Sequence, residues 1–152
     1  MPHFEVTTSI AAPPRRVFDV SLDVDVHTAS MADAGERAVD GVTSGGLVLG
    51  DTVTWQARHF GVLWRMTCRI SAFEPPARFV DDQVDGPFRH WRHEHRFAPD
   101  GRGGTVVRDV VDFAAPLRPF GTIAELAVLN RYLPRLIRDR NRHVKAVAEA
   151  PA

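Results

Sequence analysis

The hydrophobic period of this chain changes after Pro116 and Pro119, and that change constrains most of what it can fold into. From Asp51 to Ala114 apolar side chains recur largely at every second residue, the spacing of strands with one face in water. Beyond Pro116 and Pro119, from Phe120 to about Glu149, the spacing becomes three and four: Ile123, Leu126, Leu129, Leu133, Leu136, Ile137, Val144 and Val147 form one helical face. Arg131, Arg135, Arg138, Arg142 and Lys145 form a stripe on roughly the opposite side. Such a helix would be roughly 45 Å long, and Pro134 inside it should kink it or split it. A sheet with one apolar face needs a cover, and the amphipathic helix supplies one.

The elements before the helix follow from the same reading. Phe4, Val6, Thr8 and Ile10 alternate with their neighbours as a first strand. Pro13 and Pro14 end it and open a short helix carrying Val17, Phe18 and Leu22. A second short helix spans about Asp23 to Met31, and a short strand follows near Arg37 to Val39. Asp51–His59 and Val62–Phe73 form a hairpin turning at Phe60-Gly61. Pairing about that turn sets Trp55 opposite Met66, Ala57 opposite Trp64 and Val53 opposite Cys68, with Thr54–Thr67 and Gln56–Arg65 on the other face. The chain is therefore α+β: a first strand, two short helices, an antiparallel sheet of about six or seven strands in all, and one long terminal helix.

Residues 88 to 97, Phe-Arg-His-Trp-Arg-His-Glu-His-Arg-Phe, carry the chemistry. Arg92, Glu94 and Arg96 belong in water, so Trp91, His93, His95 and Phe97 point inward. Turning at Gly86-Pro87 places Asp81 opposite Arg92 outside, and Asp82 opposite Trp91 and Val80 opposite His93 inside. Closing the next turn symmetrically places Asp109 across from His93 and Val107 across from His95. Two imidazoles beside a tryptophan and inward carboxylates describe a lined pocket better than a dry core.

Composition narrows the function classes. At 152 residues the chain suits one domain, 1–152. Lys+Arg and Asp+Glu are both 19, so no global field attracts nucleic acid or anionic membrane, and the Arg131 to Lys145 stripe is read as a solvated helix back. The single cysteine, Cys68, excludes an internal disulfide and a multi-cysteine zinc site, and its apolar context suggests a buried, inert thiol. Without a signal-peptide pattern or an apolar run of spanning length, the expectation is a cytoplasmic protein with no stable membrane insertion. Oligomeric state has no signature in the sequence.

"IAAPPRRVFDV", "ISAFEPPARFVDDQV", "GPFRHWRHEHRF" and "VVRDVVDFAAPLRPFG" leading into the terminal helix together resemble the START-like, or Bet v 1-like, helix-grip superfamily (SRPBCC), which includes ligand-binding and polyketide cyclase/dehydrase members. The resemblance covers essentially the whole chain. It implies a curved sheet wrapped around the long helix, with an apolar cavity between them for a small hydrophobic molecule that is lipid-like, aromatic or polyketide-like.

Candidate lining residues are Trp55, His59, Trp64, Met66, Asp82, Trp91, His93, His95, Asp109 and Arg140. His93 and His95 would act as polar anchors or as a general acid/base, with Asp109 or Asp82 fixing a tautomer; the bland alternative is a satisfied pair of half-buried histidines. Arg140 falls within the apolar helical face. It either pairs with an inward carboxylate, anchors an acidic ligand, or snorkels out of the open end, and the last is preferred. His-x-His with Asp100, and His59 as a third nitrogen, matches a metal-ligand set poorly, since Asp100 sits in a turn. No cofactor and no metal are expected. Nucleophile-elbow and dinucleotide motifs are absent. The first expectation is a carrier of a small hydrophobic molecule. The second is a cyclase/dehydratase-type enzyme using His93, His95 or Asp109 for proton transfer, and a third is an interaction module using the basic helix back.

Overall fold

The computed structural model describes residues 3–116 and 123–151, with the side chains of 115, 116 and 123–126 left out of the description. Phe120 and the side chains of Ile123 and Leu126, assigned above to the helix, therefore lie outside it. Strand β1 (His3–Ile10) leads into α1 (Pro14–Ser21) and α2 (Val24–Ser30), then a 3-10 turn and β2 (Arg37–Gly41). Strands β3 (Thr52–His59), β4 (Val62–Glu74), β5 (Arg78–Asp85), β6 (Phe88–Pro99) and β7 (Thr105–Pro116) precede α3 (Ile123–Glu149). The seven strands form one antiparallel sheet in the order β1-β7-β6-β5-β4-β3-β2. None of the described helices is long and apolar enough to cross a membrane.

Local sequence explains where the short helices start. Pro13 and Pro14 open α1, where a missing N–H removes nothing that a first turn would bond. Asp23 caps α2, its carboxylate accepting from the N–H groups of Asp25 and Val26 at 2.9 and 3.0 Å. The β3–β4 register is as the sequence reading paired it, from Val53–Cys68 through Ala57–Trp64. Helix α3 runs unbroken through Pro134, so the split into two helices does not occur. Leu129, Leu133, Ile137, Val144 and Ala148 are buried on both sides of that proline, and this packing holds the two turns in one helix.

Two strand registers differ from expectation. Strand β5 meets β6 with Asp81 opposite His93, Phe79 opposite His95 and Asp82 opposite Arg92, a shift of one residue. The cause lies at the turn, where the Gln83 side-chain amide donates to Phe88 O at 2.7 Å and accepts from Phe88 N–H at 3.2 Å, replacing a backbone pair. A one-residue shift exchanges the two faces, so Asp81 points inward and Asp82 outward. Strand β7 meets β6 with Asp109 opposite His95 and Val111 opposite His93, a shift of two that keeps every face. The Asp100 carboxylate sets that turn by accepting from the N–H groups of Arg102 and Gly104 at 2.7 and 2.9 Å, which occupies it locally.

Two apolar clusters fill the space between sheet and helices. The first centres on Phe18 of α1, whose ring meets Phe73, Phe79 and Phe97 at centroid distances of 5.6, 5.6 and 5.4 Å in edge-on geometry. The second joins Val6, Phe88, Trp91, Val111 and Phe113 of the sheet to Leu129, Leu133 and Ile137 of α3. Replacing Phe18 with alanine removes the hub of the first cluster. We expect Phe18→Ala to cost about 3–5 kcal/mol in urea-unfolding free energy, with the sheet's far-ultraviolet signal retained.

Candidate functional site in the sheet–helix cavity

A polar layer separates the two clusters. On β6, His93 and His95 lie between Trp91 and Phe97; on β7, Asp109 lies between Val107 and Val111; on α3, Arg140 and Asn141 lie between Ile137 and Val144. All five polar side chains are buried, Asp109 with 0% exposure. Asp109 Oδ1 is 2.7 Å from His93 Nε2, and its Oδ2 accepts from Asn141 Nδ2 at 2.6 Å. Asn141 also donates to Thr8 Oγ1 of β1 at 3.1 Å. His95 Nε2 lies 2.7 Å from Asp81 Oδ2, while His95 Nδ1 comes within 3.2 Å of Asp109 Oδ1 without hydrogen-bond alignment. The two imidazoles stack at 3.6 Å, and Phe79 stacks on the far face of His95 at 4.0 Å.

The charge states follow from burial set against these contacts. Burial alone would raise both aspartates. For Asp81 it is outweighed by the His95 hydrogen bond and by the charges of His93, His95 and Arg140, which bring the carboxyl down to about 2. Asp109 is held well below the ordinary carboxylate range against its burial by both histidines. His93 is pulled below its ordinary value by burial and by His95, against the opposing pull of Asp109 and Asp81. At neutral pH, then, Asp109 is an anionic acceptor and His93 a neutral ring, so His93 Nε2 donates and His93 Nδ1 carries the bare lone pair. That nitrogen stands 4.0 Å from Asp81 Oδ2.

The layer forms part of the wall of a cavity of about 160 Å³ between sheet and α3. Trp55, His59, Trp64, Met66, Trp91, His93, His95 and Arg140 line it. Asp109 stands behind the histidines as their orienter, outside the lining. Asp82 is not brought to the site: it faces outward, accepts from Ser71 Oγ, and lies 3.8 Å from Arg92. Its neighbour Asp81 takes the inward place. Arg140 does not snorkel. It is 4% exposed, because α1 closes that end and the Ser21 carbonyl accepts from its Nη2 at 3.1 Å. Cys68 also lines the cavity, buried, its thiol pushed well above the ordinary value by burial and by nearby carboxylates.

Several wall residues escaped the sequence reading. Tyr132 of α3 has its hydroxyl 2.6 Å from His59 Nδ1, and its ring meets half-exposed Phe60 at 4.7 Å, marking the mouth of the cavity. Its place among Leu129, Leu133 and Leu136 on the helical face was the available signal. Farther in, His27 of α2 stacks on Trp55 at 4.1 Å and reaches Glu36 Oε1 at 2.5 Å, though out of line for a hydrogen bond. Nothing in the local spacing of His27, Glu36 or Asn141 announced them. Asp81, His93 and His95 each offer a ligand atom within 4.8 Å of the others. For the three to converge on one metal ion, the stacked rings would have to splay and the His95–Asp81 contact to open, since a nitrogen lone pair lies in its ring plane.

The comparisons agree with this architecture. Residues 1–149 match the family described as "Polyketide cyclase / dehydrase and lipid transport". No curated protein matches the sequence. Among solved structures, the Zhui aromatase/cyclase from Streptomyces sp. R1128 superposes with a TM-score of 0.77 at 19% identity, over 97% of this chain and 93% of that one. The protein TTHA0849 from Thermus thermophilus gives 0.75 at 18% identity, over 97% and 100%. Major latex-like protein 151 from Panax ginseng gives 0.67 at 13% identity, over 98% of each chain. Likenesses at such identities speak for the fold alone.

The buried carboxylates make stability depend on pH in a fixed direction. Asp81 falls from 3.8 to about 2 on folding, so its contribution is complete above about pH 4 and is lost as pH drops towards 2. Asp109 acts in the same direction, and so does His93: the unfolded chain takes up a proton near pH 6.5 that the folded ring refuses. Urea-unfolding free energy should therefore fall from pH 7 downward, and Asp81→Asn should lose about 1 kcal/mol less than wild type between about pH 5 and pH 3. Parallel pH profiles of the two proteins would contradict the assignment. The matched family, a description of this whole sheet-and-helix unit rather than of one motif, completes the identification: the chain belongs to the polyketide cyclase/dehydrase and lipid-transport family, with the START-like, Bet v 1-like helix-grip fold.

Proposed function

We propose that the protein binds a small apolar molecule, aromatic, lipid-like or polyketide-like, in the cavity between sheet and α3, with His93, His95 and Asp81 orienting its polar end. The observation that carries this reading is the wall itself: Trp55, Trp64 and Trp91 on one side, a buried polar layer on another, around a space of about 160 Å³. An apolar cavity of roughly 150 Å³ accommodates a benzene ring, so this one suits one or two rings, with any tail leaving by the Phe60–Tyr132 mouth. Burial against indoles supplies affinity, and a few convergent polar groups supply orientation. The family description, which couples cyclase/dehydrase with lipid transport, supports both an apolar ligand and a reacting one.

A second reading, favoured by the fixed state of His93, makes the site catalytic. A neutral imidazole whose Nε2–H is held by anionic Asp109 presents Nδ1 as a base. The carboxylate would also stabilise the imidazolium formed on proton uptake. Such a base suits removal of a proton from carbon beside a carbonyl. In cyclisation the carbanion would attack a second carbonyl of the same chain, whose oxygen takes the proton, and in dehydration the proton would leave with a neighbouring hydroxyl as water. The likeness to an aromatase/cyclase supports the fold for this chemistry.

Binding and turnover separate the two. The uncharged two-ring probe 6-propionyl-2-dimethylaminonaphthalene is expected to bind with enhanced, blue-shifted emission, and Ala57→Phe, which fills the cavity from β3, should weaken it about tenfold or more without lowering the thermal midpoint by more than a few degrees. Absence of probe binding to the wild type would remove the ligand-binding reading. His93→Ala and His95→Ala, assayed on a ligand recovered by mass spectrometry from the purified protein, then decide the chemistry. Weakened binding with no turnover in any variant supports a carrier, and lost product formation with binding intact supports the enzyme.

A further inference from the structure

Arg140 is a cation on the cavity wall whose charge no contact matches. It is 4% exposed, and its two hydrogen bonds go to neutral oxygens: Nη1 to Asn141 Oδ1 at 3.3 Å and Nη2 to the Ser21 carbonyl at 3.1 Å. A guanidinium offers five N–H donors, so three have no acceptor among the described residues. No carboxylate among those residues comes within ion-pair distance of it. Asp109 gives one oxygen to His93 and the other to Asn141, and Asp81 Oδ2 is taken by His95. Asp81 feels Arg140 only through space.

A structural role does not account for this residue. The two bonds tie α3 to the end of α1, and a neutral glutamine or asparagine could donate to the same carbonyl without carrying a full charge out of water. Buried charges are normally paired and hydrogen-bonded, and a guanidinium is the side chain whose fork matches a carboxylate edge with two parallel bonds. Arg140 also sits where the cavity changes character, since Ile137 one turn before it belongs to the apolar cluster with Trp91 and Leu133. A ligand's rings on that cluster would place its head beside the guanidinium.

We propose that the ligand of this cavity is an apolar carboxylic acid, whose carboxylate is held by Arg140 while its rings or chain lie on the apolar wall. The proposal rests on the ligand-binding reading above and narrows it to a chemical class. It sets Arg140 apart from the histidines: the arginine selects the head group, and Asp81, His93 and His95 face what lies next to it.

The test compares 2-naphthoate with methyl 2-naphthoate, which share the ring system and differ in charge, by calorimetric titration at neutral pH. Wild type is expected to bind the acid about tenfold or more tightly than the ester, as a charge-assisted pair demands. Arg140→Gln should bind the two with equal affinity. Arg140→Lys, which keeps the charge but not the fork, should retain part of the preference; it keeps the test decisive if the glutamine variant proves too unstable, as its thermal midpoint would reveal. Equal affinities in wild type, or a preference for the acid that persists in Arg140→Gln, overturn the anchor while leaving the cavity reading intact, because the ester still binds. Failure of both compounds to bind wild type overturns the two together.

Discussion

The arrangement of this molecule depends on one carboxylate without access to water. Asp109 is fully buried in the middle of β7, between two valines that belong to different apolar clusters. An ionised carboxylate in such a place is tolerable only if its oxygens are filled by donors, and each is: one by His93 of β6, the other by Asn141 of α3. Asn141 in turn reaches Thr8 of β1. A single anion thereby joins two neighbouring strands to the helix that covers them, and through Asn141 it reaches a third. Rotating α3 by one residue would carry Asn141 about 100° away and leave Asp109 half-satisfied, so the polar layer fixes the helix's rotation in a way apolar packing alone does not.

The same anion shapes the cavity. By holding His93 Nε2 it turns the imidazole's other nitrogen away from itself, and the stacking of His95 and Phe79 fixes the tilt of both rings. The histidines therefore occupy the boundary between the Phe18 cluster, which is filled, and the space beneath the tryptophans, which is not. On the side of the histidines, apolar side chains could replace that wall only by displacing groups that Asp109 and Asp81 need as partners.

How much of this the sequence revealed depended on whether alternation could choose a face. In β3 and β4 the apolar and polar residues alternate in both strands at once, so one register satisfied both faces and it was read residue by residue. In β5 the run Phe79-Val80-Asp81-Asp82 pairs two apolar residues and then two acids, which gives period two nothing to select. The turn decided the matter through the Gln83 side chain, a contact no local rule announces, and the inward acid became Asp81. The β7 register slipped by two instead, and an even slip preserves faces; His93, His95 and Asp109 still met, with the orienting contact running diagonally from His93 to Asp109. Arg140 was placed correctly on its helix by angle alone, but its fate depended on α1 closing the end above it, which is tertiary information.

Two unlike polar stations now face the cavity from different elements. On the α3 side stand Arg140 and the Asp81–His95–His93 group; on the α2 side, His27 and Glu36 lie beside Trp55. Glu36 is buried and its Oε1 lacks an aligned donor, whereas Arg140 is buried and lacks acceptors. On the proposed binding function, surplus donors at one place and a surplus acceptor at another would distinguish the two ends of a ligand. An apolar surface alone would accept either orientation with nearly equal energy, since burial is non-directional. On that proposed function, the polar groups would set direction more than strength, and direction would bring the same atom of each ligand to His93.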